Sequence, residues 1–250
     1  MTQPIVELRQ VTKSFGPVDV LKGVDLVAHA GRVTALVGDN GAGKSTLIKG
    51  LAGVQPYDGG EVLFDGQAVS LHHPREAARL GIEVVYQDLA LCDNLDIVQN
   101  MFLGREELAS GTFDEGRMEA EAARALQTLS VKTVKSLRQK VASLSGGQRQ
   151  TVAIARSVVK KATVVILDEP TAALGVAQTA QVLDLVRRLA DSGVAVIIIS
   201  HNLQDVFAVA DDISVLYLGT MTARLVAKDT NPADVVGYIT GTTRMTEVDA

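Results

Sequence analysis

The chain has 250 residues, 47% of them hydrophobic, which is enough to form a large domain with a well-filled core. Its 24 Lys and Arg residues against 29 Asp and Glu residues give a net charge of -5, so composition indicates no nucleic-acid partner. The single cysteine, Cys92, excludes an internal disulfide, and neither an export signal nor a membrane-spanning apolar run is recognisable in the sequence.

Short strand-like segments dominate the first third of the chain. IVELRQV, VDLVAHA and RVTALVG predict three strands, and the third leads into a glycine-rich loop and the helix TLIKGLAG. EVLFDGQAV predicts a hairpin around Asp65-Gly66, and PREAARLG predicts a helix that begins at Pro74 and ends at Gly81. A further strand, GIEVVYQ, follows.

The pattern changes from Asp88 to about Lys161, where helical spacing replaces strand-like runs, as in RMEAEAARALQTL. Buried strands then return in ATVVILDEP, VAVIIIS and ISVLYLG, separated by helical segments. We therefore predict one α/β domain over 1–250, with a mostly parallel sheet covered on both faces. Residues 1–87 and 162–250 form its core, and 88–161 form an inserted helical subdomain.

A complete phosphate-binding pattern, GxxxxGK[ST], lies between the predicted third strand and the first helix. Its glycines let backbone N–H groups face phosphate, Lys44 can reach the β and γ oxygens, and Ser45 can ligate Mg²⁺. The alternative is an ordinary glycine-rich turn, which does not account for the lysine and the hydroxyl together. The predicted nucleotide-binding residues of this loop are Gly38, Asp39, Asn40, Gly41, Ala42, Gly43, Lys44, Ser45 and Thr46.

Polar side chains follow three other predicted strands, at the sheet edge where open α/β proteins bind ligands. Asp168 is suited to hold Mg²⁺, and Glu169 to orient or deprotonate the water that attacks the γ-phosphate. His201 could contact the γ-phosphate or that water, and Gln87 could contact the metal or the water. Taken singly, His201 and Gln87 are better explained by a structural role, and the two acids alone by a turn before Pro170.

A second glycine turn, LSGGQ, opens another predicted helix, RQTVAIARSVV. Ser145 and Gln148 fit a capping box, which explains those two residues without any ligand. It does not explain Gly146 and Gly147, and we interpret these glycines as allowing close approach of another backbone or ligand. The turn is therefore predicted to be a second phosphate-binding surface.

Read in order, the phosphate loop, Gln87, LSGGQ, LDEP and His201 resemble the ATP-binding subunit of ABC transporters over essentially the whole chain. The resemblance implies the ABC ATPase fold, a P-loop NTPase core with an N-terminal antiparallel β subdomain and an inserted helical subdomain. It also implies ATP hydrolysis with Glu169, His201 and Lys44 as catalytic residues. Ser45, Gln87 and Asp168 would hold Mg²⁺. Phe15 matches the position that stacks on adenine in the family, although a lone Phe is more often part of a core.

The resemblance further implies a head-to-tail dimer, in which each ATP lies between the phosphate loop of one copy and the LSGGQ turn of the other. The residues acting across the dimer would be Ser145, Gly146, Gly147 and Gln148. Most relatives have an aspartate in the interface loop after LDEP, where this chain has Gly175. The resemblance therefore does not decide whether the two ATP sites communicate.

Three stretches, NMFLGRE, PTAALGV and SHNLQDVFAVADDISVL, resemble bacterial monosaccharide importers of the ribose, xylose and fructose group. The expected partners are a second copy of itself or a sibling ATPase subunit, membrane permease subunits and, indirectly, a solute-binding protein, with no nucleic acid. The expected location is peripheral, at the cytoplasmic face of the inner membrane. Two alternatives stay open. The ATPase of an exporter or lipid extractor shares every motif. A soluble, non-transport ABC ATPase usually carries tandem domains or coiled-coil insertions, and the sequence shows neither.

Overall fold

The computed structural model describes residues 3–131, 133–134 and 136–243, and none of the helices in these ranges is both long and apolar enough to cross a bilayer. Within the same ranges the chain forms twelve strands: β1 Val6–Phe15, β2 Val18–Ala28, β3 Val33–Val37, β4 Gly59–Phe64, β5 Gln67–Val69, β6 Ile82–Val85, β7 Leu108–Ala109, β8 Thr112–Phe113, β9 Val164–Asp168, β10 Ala195–Ile199, β11 Asp212–Tyr217 and β12 Thr220–Val226. The α-helices there are α1 Lys44–Leu51, α2 Pro74–Arg79, α3 Ile97–Phe102, α4 Glu115–Thr128, α5 Gly146–Val159, α6 Val176–Asp191, α7 Leu203–Val209 and α8 Pro232–Ile239.

The central sheet has six strands in the order β12-β11-β3-β10-β9-β6. All neighbouring pairs are parallel except β11 and β12, which confirms the predicted, mostly parallel sheet. Ile199 of β10 pairs with Leu36 of β3 on one side and with Asp168 of β9 on the other. The loops after β3, β9 and β10 therefore leave the sheet side by side at its carboxyl edge.

Successive side chains of the central strands point to opposite faces of this sheet, so the core lies in two layers. On β10, Val196 and Ile198 pack on one face, whereas Ala195, Ile197 and Ile199 pack on the other. All five side chains are nearly inaccessible to solvent, which is the continuous apolar pattern expected of a strand covered on both faces. Burying each of the larger ones contributes about 1.5–3 kcal/mol to folding, so the strand ends that carry the polar loops are firmly anchored.

A second sheet, antiparallel, has the order β2-β1-β4-β5. Its β4–β5 hairpin turns at Asp65 and Gly66, as predicted, and both residues adopt positive φ angles of 49° and 74°. Two consecutive left-handed residues are what a tight two-residue hairpin requires. This sheet is the antiparallel β part that the family resemblance implied.

The part of the chain between β6 and β9 is mainly helical, with α5 packed against α3, α4 and α6. Helix α4 buries Met118, Ala122, Ala125 and Leu126, the face that the spacing of its sequence predicts. The short hairpin β7–β8 departs from our expectation that strands are absent here. Each of its strands has two residues, which is too short to show any periodicity. The boundaries 88–161 stay a prediction.

Two elements near the end of the described chain were not predicted from the sequence. β12 is the edge strand next to β11, and its sequence, TMTARLV, alternates between polar and apolar residues, the period-2 pattern of a strand with one covered face. α8 has clear start signals in the sequence: Pro232 is its first residue, and the Asn231 side chain caps the N–H groups of Ala233 and Asp234.

Candidate functional site

The glycine-rich loop joins β3 to α1 at the carboxyl edge of the central sheet. A methyl group at Gly38 would lie 2.2 Å from the carbonyl oxygen of Leu216 on β11. Gly43 has a φ of 108°, and a methyl group there would lie 3.0 Å from Leu21 and 3.1 Å from the Val20 carbonyl oxygen. Glycine is thus required at both positions, because the loop is pressed between neighbouring strands and turns through a left-handed conformation. The N-terminus of α1 then has no side-chain cap, so its free N–H groups suit an anion.

Lys44 lies at the first position of α1, half-buried beside the acids of the site. Its ammonium group donates to the carbonyl oxygens of Gly38 and Asp39, at 2.8 and 3.0 Å. Burial lowers the pKa of Lys44, while the nearby carboxylates of Glu169, Asp39 and Asp168 act in the opposite direction. No carboxylate among the described residues comes within 4.0 Å of this ammonium, which fits a lysine that receives phosphate.

Asp168 ends β9 and Glu169 follows it. Burial raises the pKa of Asp168, and the neighbouring charge of Glu169 raises it further, whereas Lys44 and Lys49 lower it. The carboxyl groups of Asp168 and Glu169 and the half-buried ammonium group of Lys44 therefore interact electrostatically within one site. The addition of a divalent cation would favour the ionised form of Asp168.

Glu169 and His201 are in direct contact. The Nδ1 atom of His201 lies 2.9 Å from Oε2 of Glu169, and the Glu169 N–H donates to the carbonyl oxygen of Ile199 at 3.0 Å. Glu169 has a φ of 48°, an uncommon conformation for this residue type. Glu169 is largely covered, whereas 73% of the His201 side chain is exposed. The imidazole therefore presents its open side to whatever occupies the cleft.

One open cleft of about 550 Å³ brings most of the predicted site residues together. Ser45, Gln87 and Asp168 line it and offer hydroxyl, amide and carboxylate oxygens, the kind of ligand that Mg²⁺ prefers. No group of three or more His, Cys, Asp or Glu side chains in the described ranges could hold a metal by itself. The donor set fits Mg²⁺ bound jointly with phosphate oxygens, which is its usual mode in nucleotide sites. The predicted site residues that line the cleft are Asn40, Gly41, Ala42, Gly43, Lys44, Ser45, Thr46, Gln87, Asp168, Glu169 and His201.

Three predicted nucleotide-binding residues do not line this cleft: Phe15, Gly38 and Asp39. Phe15 ends β1 and is 44% exposed, so it is not a core residue, and the Lys13 ammonium lies 5.6 Å from its ring centre. Val20, which sequence reasoning did not select, does line the cleft. It lies on β2, five residues after Phe15, and only an apolar side chain in a strand marks it in the sequence.

The LSGGQ turn is also outside the cleft of its own chain. Ser145 and Gln148 form the predicted capping box, with N–H···O distances of 3.3 and 2.9 Å. Gln148 also donates to the Thr133 carbonyl oxygen at 2.8 Å, so its amide is directed into its own chain.

The two glycines of this turn have a role within the chain that our interpretation omitted. A methyl group at buried Gly147 would lie 3.2 Å from Cβ of Gln178, and one at exposed Gly146 would lie 3.1 Å from the end of the Leu174 side chain. Close packing of α5 on the start of α6 is therefore one reason for the glycines. Of the two glycines, only Gly146 is exposed to solvent.

The sequence and the fold are similar to those of known proteins. The family model described as "ABC transporter" matches residues 21–172. A fructose import ATP-binding protein of Rhizobium meliloti is 41% identical over 246 residues, which cover 96% of this chain and 95% of that protein. A xylose/arabinose import ATP-binding protein of Sulfolobus acidocaldarius is 42% identical over 236 residues, 94% of each. A solved ATP-binding cassette of an ABC transporter, in its ADP conformation, superimposes with a TM-score of 0.81 at 25% identity, over 96% of each chain.

Proposed function

The chain belongs to the ABC transporter family of ATP-binding proteins, and on that basis we propose that it is the ATP-hydrolysing motor of a monosaccharide importer. ATP-binding proteins of import systems are ATPases, and this chain is one of them. The observation that carries the sugar assignment is the similarity to a fructose import protein over nearly the full length of both chains.

We assign the hydrolytic roles to side chains that share the cleft. The α1 N-terminus and Lys44 would bind the phosphates, with Lys44 exchanging its two carbonyl contacts for phosphate oxygens. Glu169 would orient and deprotonate the attacking water, and His201, held by Glu169, would place its other ring nitrogen beside the γ-phosphate. Ser45, Gln87 and Asp168 would hold Mg²⁺, which when bound neutralises charge on the β and γ oxygens.

The proposed working unit is a dimer with a second copy of this chain or a sibling subunit. The cleft is open, and the LSGGQ turn lies outside it, so a head-to-tail partner would cover each ATP with its own LSGGQ turn. This dimer would act on permease subunits at the cytoplasmic face of the membrane, with a separate solute-binding protein delivering the sugar. Closure on ATP and reopening after hydrolysis would drive the permease.

Two substitutions test the hydrolytic roles. Lys44→Ala should abolish Mg²⁺-dependent ATPase activity by weakening ATP binding, whereas Glu169→Gln should abolish turnover and leave ATP bound. Lys49→Ala removes the same type of charge from the exposed side of α1 and should retain activity. Binding is measured with a fluorescent ATP analogue and turnover by phosphate release. Parent-like hydrolysis by Glu169→Gln would exclude Glu169 as the base.

The shared-site geometry is tested with mixed dimers of two inactive variants, Lys44→Ala and Gly146→Asp. Gly146 is preferred to Gly147 because it is exposed and a side chain there displaces only the end of Leu174. If each site joins one chain's phosphate loop to the other chain's LSGGQ turn, both lesions fall in one site of the mixed dimer and the second site is intact. ATP-dependent crosslinking and some turnover should then return. Gly146→Asn, of equal volume but uncharged, isolates the effect of charge.

Failure to recover either signal, once mixed dimers have been demonstrated, would rule out the shared site. Crosslinking is measured beside turnover because Gly175 leaves open whether one intact site can turn over alone.

The transport role is tested in cells that lack this subunit. They should lose uptake of one monosaccharide from a panel of labelled pentoses and hexoses, and take up amino acids normally. Complementation with the parent gene should restore uptake, and complementation with Glu169→Gln should not. Normal uptake of every sugar together with a defect in efflux would instead favour an exporter.

A further inference from the structure

A buried hydrogen bond joins the segments that follow Glu169 and His201 in the chain. The Thr171 hydroxyl donates to Oδ2 of Asp205 at 2.6 Å, and the two residues are only 9% and 6% exposed. Across the described part of the chain, no other hydrogen bond joins two buried side chains. A charge-assisted bond of this length in a water-excluded position is strong and directional.

The position of this bond in the chain connects the two catalytic loops. Thr171 comes two residues after Glu169, in the loop that leaves β9, and Asp205 comes four residues after His201, in the first turn of α7. These loops leave neighbouring strands, since Ile199 pairs with Asp168. Beyond the β9–β10 ladder, the bond therefore adds a side-chain tie between the segments that carry Glu169 and His201.

The contact between Glu169 and His201 needs such support. His201 is 73% exposed, and among the described residues its imidazole has a polar contact only with Glu169. Glu169 itself adopts a left-handed backbone conformation, which persists only where the surroundings hold it. Neither residue could keep its alignment if the two loops moved apart.

We propose that Thr171 and Asp205 are positioning residues for ATP hydrolysis. Their bond holds the Glu169 loop against the start of α7, just after His201, so that both side chains point at the same reacting group; this inference rests on the proposed ATPase function. An acid in the first turn of α7 also stabilises that helix through its dipole, but the dipole does not require a hydroxyl at position 171.

The test is Thr171→Val, which keeps the shape of the side chain and removes its donor. We expect kcat to fall by about tenfold or more, because small displacements of catalytic groups are costly, while KM and ATP affinity stay close to the parent values. Thr171→Ser restores the hydroxyl and should recover most of the kcat. The imidazole NMR signals of His201, assigned with His201→Asn, should shift in Thr171→Val and return in Thr171→Ser.

Ser157→Ala is the matched control for lost stability. It removes another buried hydroxyl, which donates to the Ile154 carbonyl oxygen at 2.6 Å within α5, and it should change neither kcat nor the His201 signals. If Thr171→Val does not fold, Asp205→Asn weakens the bond at constant volume and should lower kcat by a smaller factor.

A folded Thr171→Val with parent-like kcat, an equal loss in Ser157→Ala, or a Thr171→Ser without recovery would each overturn the proposal. If Thr171→Val does not fold, a parent-like kcat in Asp205→Asn would overturn it as well. Absence of ATPase activity in the parent protein would instead overturn the proposed function, so the two failures are distinguishable.

Discussion

Replacing Gly38 with alanine should disrupt the phosphate loop from within. The new methyl group would lie 2.2 Å from the Leu216 carbonyl oxygen, whereas carbon and oxygen atoms normally stay about 3.3 Å apart or more. The loop or β11 must therefore move by about 1 Å. Overpacking of this kind typically costs about 1–3 kcal/mol, and Leu216 is fully buried, so we expect the upper end of that range.

The same shift should weaken ATP binding, because Gly38 begins the loop between β3 and α1 whose backbone N–H groups would face the phosphates. Gly104→Ala is a useful reference, since Gly104 has a φ of 75° and open space around it. It should cost about 1 kcal/mol from backbone strain alone and leave ATP binding intact. Urea unfolding and ATP titration measure both quantities. If the free energy of unfolding of Gly38→Ala is within about 1 kcal/mol of the parent value and the variant binds ATP normally, the packing argument is wrong.

Two further predictions concern pH and turn chemistry. Because burial raises the pKa of Asp168 in the metal-free site, its carboxylate protonates at a higher pH than an ordinary aspartate. At a Mg²⁺ concentration too low to saturate the site, the gain in ATP affinity from Mg²⁺ should therefore be lost at a higher pH than an ordinary aspartate would give, and it should be absent in Asp168→Asn. Titrations with and without Mg²⁺ measure this, and a gain that persists to the pH of an ordinary aspartate would contradict it. Leu218→Asn should raise the free energy of unfolding by about 1 kcal/mol, since Leu218 is exposed in a left-handed turn, at φ 46°, where asparagine is tolerated better. Urea unfolding measures the gain, and a loss of stability would show that Leu218 makes useful contacts.

The parts of the fold that sequence alone predicted are those with strong local signals. β3, the glycine loop and α1 combine an apolar run with a phosphate-binding pattern, and the β4–β5 turn has the residues that its backbone conformation demands. β7–β8 was missed because each strand has two residues. β12 was missed although its sequence, TMTARLV, alternates between polar and apolar residues, so the signal for this strand was present.

The site was predictable as a set of residue types at strand ends, because parallel strands bring their carboxyl ends to one edge. Side-chain contacts were not. Nothing in the order of residues indicates that Thr171 meets Asp205, since that contact depends on the register between β9 and β10. The packing of Gly147 against Gln178 was not predictable either, because it depends on how α5 meets α6 and no local sequence pattern indicates that contact.

The exposure of the proposed catalytic residues in the single chain explains why a partner would be needed for fast hydrolysis. In the proposed mechanism, the Glu169–His201 pair must act on a γ-phosphate from which bulk water is excluded, yet His201 is mostly exposed and the cleft is open. The buried Thr171–Asp205 bond fixes these two side chains relative to each other, but it cannot cover them. Covering them would fall to the second chain, whose LSGGQ turn presents Gly146 outward. One chain would then align Glu169 and His201 by itself, whereas closing the cleft over them would require both chains. On this view ATP binding can promote dimerisation in Glu169→Gln, where the chemistry is removed, while Thr171→Val slows the chemistry without changing closure.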